Sequence, residues 1–145
     1  MKIGIAADHW GYKLKESLKK DLGKNYEILD YGTNREERTD YPDYAVKLGN
    51  AINNKEIDFG VAICGTGIGM SIALNKMKNI TCAKVNNVKE AKRAKEHNHA
   101  NTLAMPGSTC ACKAKKMIEE FLNAKPNNEE AYLRRIEKVG KLKWI

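Results

Sequence analysis

The chain has 145 residues, with 26 Lys and Arg against 18 Asp and Glu, giving a formal net charge of +8. That length predicts a single domain over 1–145, large enough to bury about 68–70% of its unfolded surface around a full core. No apolar run approaches the ~20 residues needed to cross a bilayer and the N-terminus lacks a signal-peptide pattern, so a cytoplasmic protein without a membrane partner is expected.

The elements alternate along the chain. Residues 2–7 read as a buried strand, and Leu14, Leu18 and Leu22 recur every four residues to mark a helix ending near Gly23. Residues 26–30 form a second strand, closed by Tyr31-Gly32-Thr33. A polar loop over 34–40 leads to a helix with Pro42 in its first turn and Tyr44, Ala45, Leu48 and Ile52 on one face. Residues 59–63 are the third strand and 68–76 the next helix. A fourth strand is expected over 80–85, a basic helix over 88–96 and a short fifth strand over 102–105. Ala114, Met117, Ile118, Phe121 and Leu122 pattern a long helix that Pro126 breaks, and 129–139 reads as a terminal helix. Strands alternating with helices predict an α/β fold, a three-layer α/β/α sandwich around a five-stranded parallel, Rossmann-like sheet. Ligands of such sheets bind beyond the carboxyl ends of the strands, where strand order reverses. If strands one and three are neighbours, Asp8, His9 and Cys64 converge on one crevice.

The third strand carries the richest local chemistry: Phe59-Gly60-Val61-Ala62-Ile63-Cys64-Gly65-Thr66-Gly67-Ile68-Gly69-Met70-Ser71. Gly65, Gly67 and Gly69 let the backbone turn tightly and aim several N–H groups at one point at a helix N-terminus, which favours negative charge. A helix N-terminus can also raise the thiolate fraction of a neighbouring cysteine. A base or nucleophile thus stands beside an anion hole. Three familiar motifs fail here. G-x-G-x-G is one residue short of the dinucleotide fingerprint, Thr66 stands where a P-loop needs lysine, and Met70 stands where a cysteine phosphatase needs arginine. By itself the stretch fits equally well a buried, inert cysteine closing a strand.

The other cysteines suggest little. Cys82, Cys110 and Cys112 do not form a disulfide framework in a cytosolic chain, and Cys110-x-Cys112 has no second ligand pair at zinc spacing, so no metal is expected. The lysines, as in Lys13-Leu-Lys15 and Lys113-Ala-Lys115-Lys116, read as solvated helix faces whose field helps capture small anions. No nucleic-acid motif accompanies them, and no nucleic-acid partner is expected.

Six stretches, taken in order, resemble one family. They are Ala6-Ala7-Asp8-His9-Trp10-Gly11, Gly32-Thr33, Arg38-Thr39-Asp40-Tyr41-Pro42, Ile63 through Ser71, Asn75-Lys76, and Glu96-His97-Asn98-His99-Ala100-Asn101. Together they resemble ribose-5-phosphate isomerase type B and its relatives, the galactose-6-phosphate and allose-6-phosphate isomerases. The resemblance implies homodimers, or tetramers, with sites shared at the subunit interface and a C-terminal helix packed on the partner. It also implies an aldose–ketose isomerase of the pentose phosphate pathway that interconverts ribose 5-phosphate and ribulose 5-phosphate without a cofactor. By the same resemblance Cys64 is the base that moves the sugar proton and His97 the acid that opens the ring, with Thr66 counted beside them as catalytic. Asp8, His9, Tyr41, Gly65, Gly67, Ile68, Gly69 and Asn98 would line the substrate. The chemistry agrees with these roles: an enediolate wants preorganised donors, and ring opening wants a group that titrates near neutrality.

The C-terminal third departs from the family. Pro106-Gly107-Ser108-Thr109 stands where the family has an arginine, and Ala131 stands where it has another. Arg135 alone matches a phosphate-binding arginine, and is expected to grip phosphate across the dimer interface. Isomerisation of a six-carbon sugar phosphate, and a catalytically silent sugar-phosphate-binding subunit, remain the alternatives.

Overall fold

The computed structural model describes residues 1–142, so the last three residues of the expected domain lie outside the described ones. Its strands are β1 (Lys2–Ala7), β2 (Glu27–Asp30), β3 (Phe59–Cys64), β4 (Cys82–Lys84) and β5 (Thr102–Pro106). Its helices are α1 (Tyr12–Leu22), α2 (Tyr41–Asn53), α3 (Ile68–Asn75), α4 (Val88–Asn98), α5 (Ala111–Asn123) and α6 (Glu130–Gly140). The strands form one parallel sheet in the order β2-β1-β3-β5-β4.

Parallel strands covered on both faces must be apolar along their whole length, and β3 is buried at every position. Leu14, Leu18 and Leu22 of α1, Ala91 and Ala94 of α4, and Met117, Ile118 and Phe121 of α5 cover one face of the sheet. On the other face, Ala45, Leu48 and Ala51 of α2 pack beside Met70 and Leu74 of α3. The result is the α/β fold that the alternation predicts.

Two expectations change. The strand expected over 80–85 pairs only over Cys82–Lys84. Ile80 and Val85 are buried, but as core residues flanking the strand. The side-chain amide of Asn75 takes up the free edge, donating to the Cys82 carbonyl and accepting from the Cys82 N–H, each at 2.8 Å.

Lys15 is the second change. It is not on a solvated face but fully buried, its ammonium donating to Asp30 at 2.6 Å and to Glu16 at 2.9 Å. Lys19 donates to the same Asp30 oxygen at 2.7 Å. Burial alone would raise the Asp30 carboxyl, but the two ammonium groups outweigh it and hold it below its ordinary value. This cluster ties α1 to the end of β2.

Candidate active site

The chain runs from β1 outward to β2, and β3 then returns to the other side of β1. Strand order therefore reverses between β1 and β3, whose carboxyl ends lie side by side with Ala7 level with Ile63. The turn after β1 and the loop after β3 open there into a cleft of about 540 Å³. It is lined by Asp8, His9, Trp10, Cys64, Gly65, Thr66 and Gly69, with Tyr41 and the segment before it forming the opposite wall.

Asp8 is almost wholly buried and holds its turn together, because Oδ1 accepts from the N–H groups of Trp10 at 3.0 Å and Gly11 at 3.2 Å. Burial pushes its carboxyl above the ordinary value, against the opposing pull of those N–H donors. His9 Nδ1 accepts from the Thr39 N–H at 3.2 Å. That nitrogen must be unprotonated to accept, so the neutral ring carries its proton on Nε2. Trp10 stands beside His9, ring centroids 5.5 Å apart, as an exposed wall of the cleft.

Cys64 ends β3 with its side chain buried at the cleft floor. Its Sγ accepts from the Gly67 N–H at 3.2 Å, which fixes the direction of the sulfur. Gly67 has φ +79°, and a Cβ there would lie 2.9 Å from the Met105 backbone, so only glycine makes this turn. The Ile68 N–H donates to Thr66 Oγ1 at 3.2 Å. Among the described residues the N–H groups of Gly65, Thr66 and Gly69 have no protein partner. They are free to receive an anion. Tyr41 lays its ring directly over Gly69, where any Cβ would clash at 2.7–3.0 Å.

Asp8, His9, Tyr41, Cys64, Gly65, Thr66 and Gly69 are thus brought together, and Gly67 supports them from behind. Ile68 turns its side chain to solvent and contributes only its backbone. His97, Asn98 and Arg135 are elsewhere in the protomer. A helix between parallel strands runs back down the sheet, so the C-terminus of α4 lies at the opposite pole from Cys64. Asn101, just after that helix, accepts from the Gly60 N–H at the start of β3. The five residue steps from Phe59 to Cys64 span roughly 17 Å at about 3.3 Å each.

At that pole His97 stacks on Tyr132 of α6 with centroids 5.0 Å apart, and the Arg135 guanidinium lies 5.9 Å from the same ring. His99 closes α4 in the left-handed conformation, and its Nε2 meets the Asn127 carbonyl oxygen at 2.9 Å, a structural role. The lining residues that sequence reasoning passed over are Trp10, Arg38, Thr39, Asp40, Pro42 and Asp43. Arg38 to Pro42 form one of the resembling stretches, so the signal for them was present beside Tyr41.

A sequence profile of the Ribose/Galactose Isomerase family matches residues 3–139. Ribose-5-phosphate isomerase B of Escherichia coli is 38% identical over 118 residues, covering 81% of this chain and 79% of that protein. A Bacillus subtilis protein named no more finely than a sugar phosphate isomerase is 42% identical over 107 residues, 72% of each chain. The crystal structure of a ribose 5-phosphate isomerase from Thermotoga maritima superposes with a TM-score of 0.92 at 43% identity, covering 97% of this chain and 98% of that one. The chain belongs to the Ribose/Galactose Isomerase family and is an isomerase.

Proposed function

We propose that the protein interconverts ribose 5-phosphate and ribulose 5-phosphate through an enediolate. The observation that carries this reading is the placement of Cys64 Sγ on the floor of the switch-point cleft, beside unpartnered N–H groups of its own loop. A base next to preorganised donors is what abstraction of a proton alpha to a carbonyl needs.

In this mechanism the Cys64 thiolate removes the C2 proton of the open-chain aldose. The C–H electron pair becomes the C1–C2 double bond, and the carbonyl pair moves onto O1, where the loop N–H groups receive the charge. A proton passes from O2 to O1 within the enediolate. The Cys64 thiol then returns its proton to C1, leaving a carbonyl at C2. Asp8 and the Nε2–H of His9 hold the sugar hydroxyls.

The acid that opens the ring is His97 of the partner subunit, and Arg135 of the partner subunit grips the phosphate. Within one protomer these residues stand a strand's length from the cleft, so a homodimer with shared sites is the assembly that unites the two sets.

Purified protein assayed against ribose 5-phosphate, allose 6-phosphate and galactose 6-phosphate tests the reading. Turnover should be fastest with ribose 5-phosphate and absent in Cys64→Ala. Because the family is named for galactose as well as ribose, a six-carbon sugar phosphate is the second reading, and faster turnover of one would replace the first. Undiminished turnover in Cys64→Ala would sink the proposed chemistry.

A further inference from the structure

The charge around the cleft is unfavourable for the substrate just proposed. A sugar phosphate carries about −1.5 to −2 charges at neutral pH. Asp8, Asp40 and Asp43 line the cleft, and a single permanent cation, Arg38, faces them among the lining residues. We infer that Arg38 is a phosphate-binding residue of this site, a reading that rests on the proposed sugar-phosphate substrate.

Three observations converge on it. Arg38 is exposed, and among the described residues it enters no ion pair, whereas the nearby Arg35 is taken by Glu37 at 3.0 Å. A guanidinium left free at a cleft rim has its whole fork available for a phosphate edge. Next, the backbone just after it is tethered to the site, because the Thr39 N–H donates to His9 Nδ1. That bond places Arg38 next to the residue whose Nε2–H holds the sugar hydroxyls. Finally, Thr39 Oγ1 is a buried side-chain oxygen with no hydrogen-bond partner among the described residues. That hydroxyl can give or take a hydrogen bond on the segment that carries the cation. Lys13, on the outer side of His9, is already paired with Glu36 at 3.8 Å and is less available.

The experiment compares wild type with Arg38→Ala, Arg38→Lys and Arg35→Ala in two measurements. One is steady-state turnover of ribose 5-phosphate, and the other is the Kd for inorganic phosphate by phosphorus NMR titration. Arg38→Ala should raise KM and the phosphate Kd together by about 10- to 100-fold, the range of one charge-assisted contact. Its kcat should stay within about threefold, since the contact is made equally in ground and transition states. Arg38→Lys should recover only part of the loss, and Arg35→Ala should change nothing. An unchanged phosphate Kd in Arg38→Ala, whether or not kcat falls, overturns the assignment. If wild type turns over no sugar phosphate, the substrate reading fails, and the phosphate titration still decides the role of Arg38.

Discussion

Shared sites make a quantitative prediction for mixed subunits. Cys64→Ala removes the proposed base, and His97→Asn removes the proposed ring-opening acid, so each homodimer alone should be inactive on the closed sugar. In one protomer the two residues are separated by most of the length of β3, and α4, with its eleven residues, runs roughly 16 Å down the sheet away from the cleft. No side chain bridges that gap, so under the proposed roles each complete site draws on two chains. When the two variants are unfolded, mixed equally and refolded, half of the dimers are hybrids. Each hybrid holds one complete site and one doubly deficient site, so activity should return to about one quarter of wild type. Arg135→Ala should complement Cys64→Ala in the same way. The assay is ribulose 5-phosphate formation, with native mass spectrometry to count hybrids. The control is the double variant Cys64→Ala/His97→Asn mixed with Arg135→Ala, which leaves no complete site and should recover nothing. Demonstrated hybrids without activity would refute the two-chain site.

Three further predictions concern groups outside the proton transfer or at its margin. Lys15→Ala should cost about 1–3 kcal/mol in denaturant unfolding by removing the buried ammonium from Asp30, which keeps Lys19, and Lys15→Met, which fills the same space without the charge, should cost nearly as much; a Lys15→Met protein as stable as wild type would show that only volume matters there. Because the folded pKa of Asp30 is lowered, its stabilisation is present above its unfolded value of 3.8 and fades as pH falls below it. Asp8 has the opposite sign: its folded pKa is raised, so stability falls as pH rises from 3.8 through that higher value, and Asp8→Asn should flatten this window of the pH–stability curve while weakening substrate binding. Burial pushes the Cys82 thiol up to about 12, so iodoacetamide at pH 8 should label the exposed Cys110 and Cys112 well before Cys82, as peptide mass spectrometry would read; comparable rates would contradict its burial.

Much of this architecture is legible in the chain because burial leaves a periodic trace. The four-residue spacing of Leu14, Leu18 and Leu22 and the unbroken apolar run before Cys64 correspond to α1 and β3 as the structure has them. Pairing leaves no such trace, which is why Ile80 and Val85 read as strand although β4 is only three residues long. Nor does a lysine announce a partner fifteen positions away, so Lys15 reads like its solvated neighbours until Asp30 is seen beside it. The separation of His97 from Cys64 went unread in the chain, although any residue at the end of a helix between parallel strands lies far from the strands' carboxyl ends.

The proposed dimer also accounts for α6. An isolated helix of eleven residues is marginal in water, below the roughly 12–15 residues at which such helices persist alone. Helices of this length hold their shape when an apolar side is covered, yet no residue of α6 is buried, and Leu133 and Val139 are 44% and 63% exposed. Its described ties are few: the His97–Tyr132 stack, and the Asn127 backbone that precedes it, fastened to Glu96 and His99 at the end of α4. A partner surface that covered Leu133 and Val139 would stabilise α6 and, in the same contact, carry Arg135 toward a cleft that this protomer cannot reach. Under the proposed roles, a second copy of the chain would answer both the exposed helix and the incomplete cleft.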